Sequence, residues 1–467
     1  MAIYVFNLLV GYYLGGVDYA QGTRAPYLRN ISKTVKYIFT DVPREREISE
    51  YQKLGIAAED MLSAHFLMSG NETIGADAMV CKTFSGKQGM AVREYYTDRL
   101  VYTDYYSYVD WGNGPENRLV RRAFRRPDGT SAYDIMYDEG RVERYLFPNG
   151  EILSKQEFLC RFIQKLNLTK NDIILIDRPG KMDYVQPLFT HANEAKIVVF
   201  LHSGHYAKKG QSDFYLYLNY EHYYWFSNTE KIDTIIVSTE WQKKSVIEKL
   251  TEYGQTIPKI EVIPAGGLEK LRYPDKPRDL GSLLTVSRLV KGKKIEWIIR
   301  SVIEAHRMNP TLHLDIYGDG AQQYKDELKK IVEENNAESF IRFMGHCDVT
   351  NVYKKYEAYI SASLWETLGL SLMEATGSGN AMIGLNVEYG NKVFIQDGVN
   401  GYTTELDFER INEEAYEAEV IRELAQNIVK IYEVPERLQL FQEKSYQIAE
   451  AFLNDSVGAL WKAFLSN

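Results

Sequence analysis

The chain has 467 residues, 45% of them hydrophobic and 25% charged, with 55 Lys and Arg against 64 Asp and Glu for a formal net charge of −9. That is the composition of a globular protein with room for two or three domains. The acidic balance, spread without a basic run, speaks against nucleic acid as the main partner. Cys81, Cys160 and Cys347 form neither a CxxC pair nor a metal spacing, which suits free thiols in a reducing cytoplasm.

The N-terminus, MAIYVFNLLVGYYLGG, is apolar but lacks a basic region and an obvious cleavage site, so it reads as a buried strand followed by a glycine turn. No apolar run approaches the roughly 20 residues of a membrane span, and a cytoplasmic location is expected, with peripheral membrane association left open. Short apolar runs at 2–9, 35–42, 171–177, 195–202, 233–239 and 259–265 alternate with helical stretches. Runs apolar on both faces fit strands of a parallel sheet covered by helices. A second set follows at 282–288, 312–318, 340–346, 358–363 and 380–387, after a linker (YPDKPRDLG) with Pro274 and Pro277. Two doubly wound α/β domains facing a cleft are therefore expected.

Residues 46–150 break this rhythm. After a helical opening they are rich in Tyr, Arg and Val. Asp128-Gly129, Glu139-Gly140 and Asn149-Gly150 sit between strand-like runs. This predicts an antiparallel β insertion in the first domain. Its arginines, Arg118, Arg121, Arg122, Arg125 and Arg126, suit either a solvated face or a partner interface. The expected boundaries are 1–45 and 151–275 for the two parts of the first domain, 46–150 for the insertion and 276–450 for the second domain. Residues 451–467 form a last amphipathic helix, expected to cross back to the first domain.

The strongest chemical signal is Glu366-Thr-Leu-Gly-Leu-Ser-Leu-Met-Glu374, which follows the strand AYISAS and opens a helix reaching Gly377. A loop leading into a helix N-terminus offers N–H groups to sugar hydroxyls and phosphate oxygens. Glu366 is placed to meet a sugar and Glu374 a ribose, although the spacing also suits two solvent-facing glutamates. Arg288 ends a strand and Lys293 follows in its loop, where two cations can neutralise a diphosphate or simply form a solvated surface. Gly15-Gly16, after the first strand, lets backbone approach a ligand or makes a tight turn. Gly318-Asp319-Gly320 is half of a dinucleotide fingerprint. His202 and His205 have no ligand-spaced carboxylate or cysteine and no DxD pair to share a metal, so they suit a structural role or a hydrogen bond to a sugar. No GxSxG, Walker or HExxH motif occurs.

The Glu-x7-Glu segment, SRLVKGKK, IYGDG and IPAGG resemble the retaining GT-B glycosyltransferases over about 170 residues of the second domain. NLLVGYYLGGVDYAQGTRAPYLR, DGTSAYDIMYDEG, LHSGH and VSTEWQK extend the likeness nearly end to end. They resemble the catalytic A subunits of the accessory-Sec glycosyltransferases, which begin O-glycosylation of serine-rich repeat adhesins. That resemblance implies a UDP-GlcNAc donor, Ser or Thr hydroxyls of a serine-rich repeat protein as acceptors, and a B-type co-activator subunit contacting the insertion, while the lack of a DxD pair leaves no metal cofactor expected. It further implies that Gly15, Gly16, Val17, Asp18, Tyr19, His346, Cys347 and Glu374 bind UDP. His202, His205, Glu366, Thr367, Leu368 and Gly369 would bind the donor sugar, with Glu366, Arg288, Lys293 and His202 catalytic. Such families usually read Glu-Gly-Phe-Gly where this chain has Glu366-Thr-Leu-Gly369, and the β-branched Thr367 leaves glucose open as the sugar. A teichoic-acid α-glycosyltransferase and a non-catalytic GT-B binding subunit are the alternatives.

Overall fold

The computed structural model describes residues 1–8, 15–42, 45–71, 80–85, 91–110, 115–138, 140–206 and 222–466. Leu9 of the first expected strand and Glu139 of one expected turn lie outside these. The chain divides into two compact units, Met1–Phe200 with Tyr224–Ile235, and Leu201–Tyr223 with Ile236–Asn467.

In the first unit the chain runs β1 (Ala2–Asn7), α1 (Gly16–Ile31), β2 (Thr34–Phe39), α2 (Glu45–Lys53), β3 (Met61–Ser63) and α3 (Ala64–Met68). Seven strands follow: β4 (Val80–Ser85), β5 (Ala91–Tyr96), β6 (Leu100–Asp110), β7 (Pro115–Arg125), β8 (Ser131–Asp138), β9 (Arg141–Leu146) and β10 (Ile152–Leu153). Then come α4 (Lys155–Lys165), β11 (Ile173–Ile176), α5 (Met182–His191), β12 (Lys196–Phe200), α6 (Tyr223–Phe226) and β13 (Thr234–Val237). β1 pairs in parallel with both β2 and β11, β2 with β3, and β11 with β12. The β11 sequence IILI is buried at every position, as a strand covered on both faces must be. β13 begins in the first unit and ends in the second, and the whole sheet has the order β14-β13-β12-β11-β1-β2-β3, with β14 at Lys259–Val262.

The expected antiparallel insertion forms a seven-stranded sheet, β10-β9-β8-β7-β6-β5-β4. Gly129 and Gly150 make its turns at φ +83° and +85°, where a side chain would be strained. The antiparallel pairing runs from Val80 to Leu153, whereas Met61–Ser63 joins the parallel sheet. An aromatic stack fixes the sheet to α4. Tyr145 lies 4.1 Å from Phe158, and the His65 ring stacks on Phe124, Tyr145 and Phe158 at 5.5, 6.0 and 5.1 Å. Arg122 binds Asp104 through two hydrogen bonds of 2.5 and 2.7 Å beneath this sheet, which makes it a structural cation. Arg121 pairs with Asp134.

The second unit continues with α7 (Glu240–Glu252), β14, β15 (Ser282–Val286), α8 (Ile295–Met308), β16 (His313–Tyr317), α9 (Gln322–Glu334), β17 (Ile341–Gly345) and β18 (Ala358–Ser361). It is completed by α10 (Leu370–Gly377), β19 (Ala381–Leu385), α11 (Asn391–Phe394), β20 (Gly401–Thr404), α12 (Glu414–Tyr432), α13 (Pro435–Ala449) and α14 (Asn454–Ser466). Its six-stranded parallel sheet has the order β17-β16-β15-β18-β19-β20. β15 and β18 are neighbours from which the chain winds in opposite directions, which defines a switch point. Trp297, Ile298 and Val302 of α8 pack with Leu283, Leu314 and Ile360 from the strands in one core. Short β20 went unread in the sequence because Gly401 offers no strand signal. A Cβ there would lie 1.7 Å from the Met382 carbonyl oxygen.

Candidate active site

Side chains at the carboxyl end of β15 and β18 converge on the switch point of the second unit. The loop after β15 is held on the loop after β16 by backbone alone. Ser287 N donates to Tyr317 O at 3.1 Å and Leu289 N to Asp319 O at 2.8 Å. Gly318 and Gly320 allow this approach, since a Cβ on either would lie 1.8 Å from Ser287 O or 2.1 Å from Leu289 O. The half fingerprint Gly318-Asp319-Gly320 is thus a structural seam beneath Arg288. Arg288 itself is exposed and has no ion-pair partner among the described residues.

Lys293 follows in a single 3-10 turn, and Lys294, at φ +47°, opens α8. Leu364 N, past the end of β18, donates to Gly292 O at 3.1 Å, joining the two exit loops. The Lys293 ammonium pairs with the Glu366 carboxylate across this junction, their side chains 19% and 15% exposed. Arg288, Lys293 and Glu366 therefore belong to two adjoining loops. A carboxylate and an ammonium, mostly buried but still touching solvent, stand where open α/β sheets take ligands.

The Glu366 loop has a second anchor. Glu366 O accepts from Tyr389 N and Gly390 N, both at 2.8 Å, and Glu366 N donates to Glu388 O at 3.3 Å. Thr367 is partly exposed, Leu368 is buried, and Gly369 caps α10 at φ +83°. Glu374 lies one turn into that helix. Burial pushes its carboxyl up, against the pull of the Tyr353 hydroxyl and the Arg272 charge, while Asp348 adds to the rise. His346 and Cys347 follow β17, both exposed. His202 is partly exposed, but His205 is fully buried, its ring stacked on Tyr389 at 6.5 Å and 13°. Burial, helped by the His222 and Lys249 charges, pushes His205 down to about 3.

Arg272, Tyr353 and Tyr389 escaped the sequence reading. Tyr389-Gly390 at the end of an apolar strand was the available signal, an aromatic and a glycine where ligand loops begin. Among the described residues, no three His, Cys, Asp or Glu side chains gather as a metal cage.

In the first unit the Gly15-Gly16 turn is exposed and opens α1. Val17 is partly exposed and Tyr19 is 51% exposed. Asp18, by contrast, is 1% exposed, and its carboxylate accepts from Gly15 N at 2.8 Å, Tyr51 Oη at 3.1 Å and Arg178 at 3.0 Å. Its side chain builds the turn from within. Behind it Asp177 binds Arg24 with two hydrogen bonds and Gln21 with one.

Two parallel sheets of this winding, and a Glu-x7-Glu loop facing a basic loop across a switch point, define a GT-B glycosyltransferase. The family model for glycosyl transferases group 1 matches residues 281–427. The chain is 33% identical, over its full length and 98% of the relative, to the UDP-N-acetylglucosamine–peptide N-acetylglucosaminyltransferase GtfA subunit of Streptococcus gordonii. It belongs to that GtfA-subunit family. The crystal structure of the pneumococcal O-GlcNAc transferase GtfA in complex with UDP and GlcNAc matches it with a TM-score of 0.83 at 30% identity, covering 100% of this chain and 98% of that one. A crystal structure of a GtfA/B complex matches with a TM-score of 0.82 at 30% identity, covering 100% and 99%. No helix among the described residues is long and apolar enough to cross a membrane.

Proposed function

We propose that this chain is the catalytic subunit of a cytoplasmic peptide-glycosylating enzyme. It moves GlcNAc from UDP-GlcNAc, with retention, to Ser or Thr hydroxyls of a serine-rich repeat protein, and it works with a B-type partner subunit. The observation that carries the reading is the Lys293–Glu366 pair at the switch point, in loops shared with exposed Arg288. The donor assignment is supported by the UDP and GlcNAc of the pneumococcal relative, and the partner by the GtfA/B complex.

In this reading Arg288 and Lys293 hold the diphosphate, Glu374 the ribose, and His346 and Cys347 the uracil through backbone groups. Glu366, Thr367, Leu368, Gly369 and His202 orient the sugar. The bond from the anomeric carbon to the diphosphate oxygen breaks as the acceptor oxygen bonds to the same face, and the acceptor proton passes to the departing phosphate oxygen. Fixed cations aimed at the charge growing on that oxygen supply the main catalytic effect. The chain's own cations do the work that a metal does elsewhere.

The test is incorporation from UDP-GlcNAc and UDP-glucose into a serine-rich repeat fragment, with and without the partner and with excess chelator. Partner-dependent, chelator-resistant GlcNAc transfer is expected. Glu366→Ala should lower it at least about tenfold with the fold intact. Near-normal turnover in that variant, or no turnover of either donor, overturns the assignment; preference for a polyol-phosphate acceptor points to the teichoic-acid alternative.

A further inference from the structure

We propose that Tyr389 is a positioning residue that ties the Glu366 loop to α7, so that Glu366 stands where Lys293 can reach it. The inference rests on the reading of Glu366 as a donor-binding residue. Tyr389 is 6% exposed and is gripped from three sides. Its backbone forms a parallel bridge with Glu366, and the N–H groups of Tyr389 and Gly390 both donate to Glu366 O. Its hydroxyl lies 3.1 Å from Ser245 Oγ on α7. Its ring faces the buried His205 ring.

The grip is backbone-tight at its other end as well. A Cβ on Gly390 would lie 1.9 Å from Leu368 O, so the strap at 388–390 rests directly on the Glu366–Gly369 loop. A second tie runs parallel to the first. Lys392, within 3.8 Å of the Glu388 carboxylate, sits 4.7 Å over the ring of Trp241, also on α7. A displacement of α7 is thereby passed to the main chain of Glu366 through two side chains and a pair of hydrogen bonds. None of these groups carries the reaction itself. Their effect is geometric, and a displacement of about 1 Å at a reacting centre is enough to cost about a hundredfold in rate.

The experiment compares kcat, KM for UDP-GlcNAc and UDP-induced thermal stabilisation in Tyr389→Ala, Tyr389→Phe, Ser245→Ala and the Phe/Ala double variant, with Glu366→Ala as reference. Tyr389→Ala should lower kcat by about 10- to 100-fold while KM changes less than about threefold. Tyr389→Phe keeps the ring stack and the backbone and should restore kcat to within about fivefold. Ser245→Ala should match Tyr389→Phe, and the double variant should be no worse than either. Normal kcat in Tyr389→Ala beside an inactive Glu366→Ala overturns the positioning role alone. Normal turnover in Glu366→Ala sinks the functional reading beneath it. If Tyr389→Ala does not fold, independent losses in Ser245→Ala and Tyr389→Phe, multiplying in the double variant, overturn the coupling.

Discussion

Gly318→Ala separates the seam under Arg288 from ordinary glycine strain. At Gly318 a Cβ would lie 1.8 Å from Ser287 O and 3.0 Å from Ser287 C, and φ is +137°. Ordinary contact begins at 3.4 Å, so the Ser287 backbone must retreat by about 1.6 Å or the turn must open. The backbone conformation alone costs about 1–3 kcal/mol, and forcing the loops apart adds about 1–3 kcal/mol. Gly345 is the control. Its φ is +73° and nothing lies within 4 Å of an added Cβ, so Gly345→Ala should cost only about 1 kcal/mol. At about 2–4 °C per kcal/mol for a unit of this size, Gly318→Ala, at roughly 2–6 kcal/mol in all, should melt about 4–24 °C lower and Gly345→Ala about 2–4 °C lower. Circular dichroism melting measures both, with and without UDP. Because Ser287 precedes Arg288, Gly318→Ala should also lose most of the stabilisation by UDP. Equal melting of the two variants, with UDP stabilisation intact in both, would refute the seam.

Other expectations follow from buried charge. Arg24→Met leaves Asp177, whose side chain is 0% exposed, without its cation, and should cost about 3–5 kcal/mol in urea unfolding; a loss below about 1 kcal/mol contradicts the reading. Burial holds His65 and His205 down to about 3 and His222 to about 4, against an ordinary value of 6.5. Below about pH 6.5 the unfolded chain takes up protons that the folded histidines refuse, so stability is full above that pH and drains as pH falls toward 4 and 3. Each histidine contributes a slope of up to about 1.4 kcal/mol per pH unit. Glu357, buried, and the partly exposed Glu374, whose carboxyls desolvation raises, pull the other way only as pH nears their own higher range. Melting temperature should fall between pH 6.5 and 5, and a flat profile there would show that these rings are hydrated.

The strands were legible because a parallel sheet demands short apolar runs. AIYVFN, IILI and AMIGL are such runs, and hydrophobic period locates them without knowledge of their neighbours. The insertion was legible through its Asp-Gly and Asn-Gly turns. The Glu366–Glu374 segment and the Arg288–Lys293 loop were legible as strand exits, because apolar runs locate the strand ends that they follow. What stayed hidden depends on contacts distant in sequence. Asp18 looks like a ligand residue in GGVDY, yet Tyr51 and Arg178 take its carboxylate inside the first unit. His205 looks like half of a paired site with His202, yet Tyr389, far along the chain, covers its ring. Gly318 and Gly320 mimic a nucleotide fingerprint because close backbone approach needs glycine whether the visitor is a phosphate or another loop.

The two units put charge at a switch point in contrasting ways. In the first, Arg24 and Asp177 bridge α1 and the end of β11 with side chains 2% and 0% exposed, and Gln21 takes a further bond to the carboxylate. That pair is desolvated, so its charges are committed to holding the α1 turn. In the second, Lys293 and Glu366 keep 19% and 15% of their side chains open, and Arg288 beside them is exposed. An ion pair still touching water can exchange a partner for a ligand without stranding a buried charge, whereas removing one member of a dry pair is strongly unfavourable. This difference argues for the second unit as the place where negative charge is received; on the function proposed above, Lys293 would exchange Glu366 for the diphosphate and leave Glu366 free to meet the sugar.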